Sequence, residues 1–288
     1  FSNGLHSRIT KFPDVVTADV LDPESLVKAM ASVDSVIHLA AKKAVGESVD
    51  NPLKYYENNF GGTLNILAAM KIAGVKKIVF SSTAAVYSPS EKPAITEEDS
   101  TIPLSPYGAT KLLSEQLISN VSSAEGFSCV SLRYFNVAGS GSDEMGDNSR
   151  DNLVPKVFLA ITNGERPEVF GTDYPTPDGT CIRDYIHVSD LARAHIDALK
   201  AVEKSRIDEI YNVGSGNGFS VTEVMTEIEK AMGKNLNPIL GPRRAGDSPK
   251  LIASIEKISR DLGWKPKHTL RDMITSSWSA WQSQGGSR

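Results

Sequence analysis

Short apolar runs alternate with longer, helically spaced stretches through the first half of the chain, and the alternation predicts a strand–helix–strand order. Val15-Val16 leads into Ala18-Asp19-Val20, read as a strand ending in an acid. Residues 22–33 read as a helix, with Asp22 as N-cap and Pro23 at the first helical position, where φ is already set and no N–H is needed. Ser35-Val36-Ile37-His38-Leu39 is a buried strand by pattern, and Lys77-Ile78-Val79-Phe80-Ser81 another. Between them residues 52–73 read as one long helix, closed by Gly74. A helix over 106–124 and a strand over 128–135 follow. Strands alternating with helices in this way predict a parallel sheet covered on both faces.

The pattern changes after Gly139. Residues 139–151 are rich in Gly, Ser, Asp and Asn and read as a loop. Helices are expected at 152–163, 189–203, 220–232 and 269–282, joined by short strands and Pro/Gly-rich connections. The fold class expected is α/β, a Rossmann-like doubly wound parallel sheet with a smaller carboxy-terminal α/β cap. The expected division assigns 1–138 and 184–215 to the nucleotide-binding sheet domain and 139–183 and 216–288 to the cap. Ligands in such sheets bind outside the carboxyl ends of the strands.

Composition narrows the classes of function. The 288 residues carry 31 basic and 35 acidic side chains, a net charge of −4, which argues against a general nucleic-acid binder. No apolar run approaches the ~20 residues of a membrane span, and no signal peptide is visible. The two cysteines, Cys129 and Cys181, argue against a disulfide framework and suit a reducing, cytoplasmic compartment. No Cys/His cluster suggests a metal, and His38 and His187, set in apolar strands, read as structural.

The strongest constellation is Tyr107-Gly-Ala-Thr-Lys111, preceded by Ser81-Ser82-Thr83 at the end of a strand. Tyr107 and Lys111 are four apart on a helix and share a face. A free phenol, with a pKa near ~10, is a poor base at neutral pH. A neighbouring ammonium and a positive nicotinamide both favour the phenolate. Thr83, at the strand's carboxyl end, is placed to hydrogen-bond a substrate hydroxyl, so the set reads as a proton-transfer site beside a hydride carrier. A Tyr-x-x-x-Lys pair alone occurs often by chance; the Ser-Ser-Thr strand end and the Ser105-Pro106 before the tyrosine make it specific.

With these residues in place the chain resembles the UDP-glucose 4-epimerases of the extended short-chain dehydrogenase/reductase type along nearly its whole length. The matching stretches are His38-Leu-Ala-Ala-Lys-Lys-Ala-Val-Gly-Glu-Ser-Val49, Tyr55-Tyr-Glu-Asn-Asn59, Phe80-Ser-Ser-Thr-Ala-Ala-Val-Tyr87 and Ser105-Pro-Tyr-Gly-Ala-Thr-Lys111. Arg133-Tyr-Phe-Asn-Val-Ala-Gly139, Asp173-Tyr-Pro-Thr-Pro-Asp-Gly-Thr-Cys-Ile-Arg-Asp-Tyr-Ile-His-Val188, Arg243-Arg-Ala-Gly-Asp247 and Leu262-Gly-Trp-Lys-Pro266 complete it. The resemblance implies an NAD-dependent isomerase that interconverts UDP-glucose and UDP-galactose through a 4-keto sugar. It implies Tyr107 as acid and base, Lys111 as its electrostatic partner and a ribose ligand, and Thr83 as partner of the reacting hydroxyl. It further implies cofactor contacts from Asn3, Gly4, Asp19, Val20, Leu39, Ala40, Ala41, Lys43, Asn58 and Phe135. UDP-sugar contacts are implied for Asn136, Asn152, Arg183, Arg244 and Asp247, the two arginines suiting bidentate recognition of pyrophosphate oxygens. Leu251 is implied beside the sugar's 2-substituent, where a residue smaller than tyrosine goes with acceptance of N-acetyl sugars. Asp19 as a strand end, Lys43 as a solvated charge and Phe135 as core are the simpler readings of those positions.

One departure stands out. No Gly-x-x-Gly-x-x-Gly occurs, although that loop brings backbone and a helix amino terminus to the pyrophosphate. The expectation is a chain lacking its first strand and glycine-rich turn, with Asn3 and Gly4 as remnants, and on its own a poor NAD binder. Ser88 stands where a glycine is common. A dehydratase on the same scaffold would place acids after the Thr83 position, where Ala84 and Ala85 stand. Epimerases of UDP-N-acetylglucosamine or UDP-xylose, and an inactive truncated binding homologue, stay open. The resemblance also implies a homodimer through paired helices, and Ile66, Met70, Leu112, Leu113 and Leu117 read as apolar positions beyond the need of one packing face.

Overall fold

The computed structural model of the chain describes residues 8–9, 14–149, 151–244 and 247–285. In chain order the elements are α1 (Pro23–Ala29), β1 (Val36–His38), α2 (Val45–Asp50), α3 (Pro52–Tyr55), a π-helical turn (Tyr56–Gly61), α4 (Gly62–Ala73), β2 (Lys77–Ser81), α5 (Pro106–Glu125), β3 (Ser128–Tyr134) and β4 (Asn136–Ala138). The second half supplies α6 (Leu153–Thr162), β5 (Glu168–Phe170), β6 (Ile182–His187), α7 (Val188–Lys204), β7 (Asp208–Val213) and β8 (Gly218–Ser220). It ends with α8 (Val221–Met232), β9 (Ile239–Gly241), β10 (Lys250–Leu251), α9 (Glu256–Leu262) and α10 (Leu270–Ser283).

Helix ends follow the local chemistry. Asp22 accepts hydrogen bonds from the amides of Glu24 and Ser25 at the start of α1, and Ser105 accepts from Gly108 at the start of α5. Gly74 closes α4 in the left-handed region, at φ 76°. Three readings differ. Residues 15–20 form no strand: Val15 and Val16 are exposed and among the described residues nothing pairs with them, while the Asp19 carboxylate accepts from Leu21 N in a turn. The long helix read over 52–73 is three pieces, because the π turn interrupts it. The helix read over 22–33 ends at Ala29, and Ser88, at a negative φ, needs no glycine.

β1, β2, β3 and β7 form a four-stranded parallel sheet in that order. Alternation along β2 sends its side chains to opposite faces. Ile78 and Phe80 pack with Leu26, Met30, Ile66, Met70 and Ile118 on one side; Val79 packs with Leu191, Ala194, Ile258 and Trp264 on the other. Helices therefore cover both faces, which is the Rossmann-like α/β architecture expected. Beside it β10, β6 and β4 run parallel, with β8 antiparallel to β6, and β5 pairs with β9. A separate core of Phe158, Tyr185, Val224, Ile228, Met273 and Ile274 fills this second region.

Candidate active site

All four strands of the main sheet end on one edge, so the residues that follow them converge. Leu39 and Ala40 follow β1 and are exposed; Ser82 and Thr83 follow β2 and are buried; Phe135 and Asn136 follow β3, the first buried and the second exposed. Ser82 N donates to Leu132 O at 2.8 Å, which extends the β2–β3 ladder by one residue and fixes the strand end. A tight turn, residues 84–86, opens with the Thr83 hydroxyl accepting from Ala85 N at 3.1 Å.

α5 lies against this edge. Gly108 lets it do so: a Cβ there would stand 2.3 Å from the carbonyl oxygen of Ala85. Tyr107 is 7% exposed and Lys111 2%. Burial raises the Tyr107 phenol above its ordinary range, the neighbouring Tyr134 adds to this, and the nearby Thr83 hydroxyl draws it back. Burial pulls the Lys111 ammonium down to about 7, and Glu115 pushes it back up. The ammonium donates 2.8 Å to Ser81 O and lies 4.7 Å from the Phe80 ring centre. Beneath it, the Ser81 hydroxyl meets His195 Nε2 at 2.6 Å, and His195 Nδ1 sits 2.9 Å from Leu191 O. Tyr107 and Lys111 thus share the face of α5 that meets the end of β2, where Thr83 stands.

The π turn presents Asn58 and Asn59. Asn59 is buried: its Oδ1 accepts from Lys42 N at 2.8 Å, and its Nδ2 donates to Lys42 O at 2.9 Å. It therefore clamps the segment that carries Leu39, Ala40, Ala41 and Lys43. Asn58 is half-buried and donates to Asn59 Oδ1, and Lys43 is exposed. Local π geometry has no simple sequence signal, so the clamp was not legible beforehand. Asp19 and Val20 lie by α4, where Asn65 donates to Val20 O at 3.0 Å. Asn3 and Gly4 lie outside the described residues.

A second group gathers on β6 and β10. Leu251 pairs in register with Arg183, whose Nη2 stands 3.2 Å from Asp247 Oδ1 and whose Nη1 donates to Ser248 O. Leu251 packs on the cluster of Ala84, Val86, Tyr87, Ile95 and Phe135, so this wall adjoins the turn after Thr83. Arg244 stacks 3.7 Å over the Phe170 ring. Asn152 stands at the start of α6 without a side-chain capping bond and donates to Asp147 within its own loop. Asp184, missed in the sequence, holds the wall together: its buried carboxylate accepts from Ser215 N, Gly216 N and Ala253 N.

His38 meets Thr63 Oγ1 at 3.2 Å and His187 meets Ser276 Oγ at 3.2 Å. Among the described residues no group of three or more His, Cys, Asp or Glu could hold a metal ion, and no helix is long and apolar enough to cross a membrane.

Comparison with known proteins gives a coherent set. A match to the NAD dependent epimerase/dehydratase family runs over residues 2–214. UDP-glucose 4-epimerase of Azospirillum brasilense is 43% identical over 289 residues, 98% of this chain and 82% of that protein. A crystal structure of a UDP-glucose 4-epimerase superposes with a TM-score of 0.94 at 37% identity, covering 99% of this chain and 89% of the other. The Bifidobacterium longum UDP-glucose 4-epimerase, solved in complex with NAD+ and UDP, gives 0.85 at 38% identity, covering 94% and 83%.

Proposed function

We propose that this chain, which belongs to the NAD dependent epimerase/dehydratase family, interconverts UDP-glucose and UDP-galactose by oxidation and reduction at the sugar's C4. The carrying observation is the buried unit in which Tyr107 stands by Thr83 at the end of β2 while Lys111, one helical turn on, is fixed to Ser81 O. The chain's own residues suit NAD. Among the described residues the Lys111 ammonium has one hydrogen-bond acceptor, Ser81 O, which leaves N–H donors for ribose hydroxyls. The exposed Leu39 and Ala40 offer apolar surface at the strand edge, with Asn58 and Lys43 beside it. NAD, when bound, supplies the hydride acceptor and donor at C4. Tyr107 takes the proton of the sugar 4-hydroxyl and later returns it, Thr83 orients that hydroxyl, and Lys111 stabilises the phenolate. Arg183 and Arg244 hold the pyrophosphate, Asp247 and Asn152 the nucleotide-sugar, Asn136 and Phe135 the sugar and nicotinamide face, and Leu251 the region of the 2-substituent.

The division into a nucleotide-binding sheet domain, 1–138 and 184–215, and a UDP-sugar cap, 139–183 and 216–288, belongs to the same reading. So does a cytoplasmic homodimer, though of the residues read from the sequence only Leu113 is exposed. Ile66, Met70 and Leu117 pack into the sheet core, and Leu112 against the Phe135 cluster. What supports a dimer is the exposure of Leu53 on α3, Tyr56 on the π turn and Leu113 on α5, an apolar face on elements that pack together. The direct test of function supplies UDP-galactose to the NAD-loaded protein and follows formation of UDP-glucose. Binding of UDP-sugar without turnover would leave a binding protein and remove the reading.

A further inference from the structure

α5 meets the end of β2 through three side chains. Tyr107, Lys111 and Glu115 are spaced four apart and stack on one side of the helix. Each faces one of three consecutive residues: Tyr107 stands by Thr83, Ser81 O accepts from Lys111, and the Ser82 hydroxyl donates to Glu115. The first two contacts belong to the proton-transfer unit. The third carries no reacting group, yet it is the most strongly braced. Both Glu115 oxygens are gripped by Arg133 of β3, Nε at 3.0 and 3.2 Å and Nη2 at 2.7 Å, and both side chains are buried. Arg133 Nη1 continues to the Tyr87 hydroxyl at 3.1 Å, which donates to Asn212 Oδ1 at 2.6 Å on β7.

We infer that Glu115, held by Arg133, is the positioning residue of the proton-transfer site: it sets the Thr83 turn at its height against Tyr107 and places a carboxylate one helical turn beyond Lys111. The inference rests on the epimerase reading and deepens it. Among the described residues the hydrogen bonds that tie residues 81–83 to α5 are the Ser82 contact and the bond from Lys111, and the second comes from a group that must respond to substrate. A bidentate carboxylate–guanidinium pair has a fixed plane, so it transmits the rigidity of the sheet to the turn. The charges facing Lys111 are few: Glu115 and Tyr107 from its own helix, His38 from β1, Arg133 and Tyr134 from β3, and His195 from α7. Burial and the Lys111 charge hold His38 down at about 3, and burial lowers His195, so both imidazoles are neutral near pH 7. Glu115 is then the one carboxylate that favours the charged lysine.

Three variants of the NAD-loaded enzyme decide the matter: Y107F, E115Q and R133M, each with kcat and KM for UDP-galactose across pH. E115Q is expected to lose between about tenfold and 10²-fold in kcat, as for a small misplacement of reacting groups, with KM changed by less than about threefold. The alkaline limb of its kcat profile moves to lower pH, because the lysine loses its proton sooner. R133M also loses kcat, but its limb stays or moves to higher pH, since Glu115 then acts on Lys111 unshielded. NMR titration of the Lys111 ammonium in nucleotide-free protein gives the same two opposite responses. The double variant E115Q/R133Q leaves no unpaired buried charge and covers the case in which a single variant does not fold; its limb follows E115Q. Equal profiles in all variants, with only the amount of folded protein reduced, would overturn the inference and leave Glu115–Arg133 a structural pair. Retained turnover in Y107F would instead overturn the epimerase reading, whatever E115Q does.

Discussion

Replacing Tyr107 by Phe removes one hydroxyl from a ring that is 7% exposed. The fold loses at most the equivalent of one hydrogen bond, because Thr83 Oγ1 keeps Ala85 N as its donor at 3.1 Å. A single hydrogen bond is worth about 1 kcal/mol net, which corresponds to a fall in melting temperature of roughly 2–4 °C for a chain of this size. The reaction loses far more. With no group to take and return the proton, turnover falls by ~10²–10⁴, or about 3–5 kcal/mol at the transition state. The loss at the transition state is thus several times the loss from the fold, and the two can be measured separately. Thermal melting gives the first, conversion of UDP-galactose the second, and calorimetric titration with UDP shows that the nucleotide still binds with nearly unchanged affinity. A variant that keeps its turnover within tenfold, or whose turnover falls only in step with its melting temperature, refutes the assignment of Tyr107.

Other expectations follow from the same geometry. His38, held down at about 3 by burial and by Lys111, stays neutral in the fold while the unfolded chain takes a proton below 6.5. Its contribution is therefore whole above pH 6.5 and is lost as pH falls toward 3. His38→Phe leaves the Thr63 hydroxyl donating to Asn59 O, and between pH 7 and about pH 4.5 it should lose about 3 kcal/mol less than wild type in urea titrations. Equal losses would show that His38 is protonated in the fold. Leu251 packs beside the turn after Thr83, so wild type should turn over UDP-N-acetylglucosamine measurably, and Leu251→Tyr should abolish this while keeping UDP-glucose. An overpacked site costs about 1–3 kcal/mol, and wild type inert toward the acetylated sugar ends that argument at once. The exposed Leu53 is expected to lie in the dimer face; Leu53→Asp should convert a dimer by light scattering into a monomer, and a wild type already monomeric at micromolar concentration rejects the dimer.

What could be read from the sequence was local and periodic. The strand at residues 77–81 needs only a run of apolar side chains between a helix stop and a loop, and it occurs with those bounds as β2. Asp22 and Ser105 cap helices because their side chains reach amides two or three residues ahead. The spacing of Tyr107 and Lys111 translated directly into a shared helix face. Pairing was less legible. Val15 and Val16 have the composition of a strand, but a strand is made by the neighbour it bonds to, and none is described beside them. The apolar surplus in α4 misled for a related reason. Ile66 and Met70 cover Leu26 and Met30 of α1 as well as the sheet, so the helix serves two neighbours within the chain, and the surplus says nothing about a second subunit.

Glu115 marks the limit of such reading. In sequence it is an acid four residues after a lysine on a helix, the pattern of a solvated i,i+4 pair worth a few tenths of a kcal/mol. Only the parallel register of β2 and β3, with Ser81 opposite Leu132, puts Arg133 beside it, from 18 residues farther along the chain. That placement converts a surface pair into a buried one, where removal of one partner costs about 3–5 kcal/mol because the other is left unpaired. The chemistry of Thr83, Tyr107 and Lys111 can be spelled in a motif because each group acts on the ligand. The groups that hold them, Glu115, Arg133, Asn59 and Asp184, act on one another across strands and helices, so their roles exist only once the sheet has set its register.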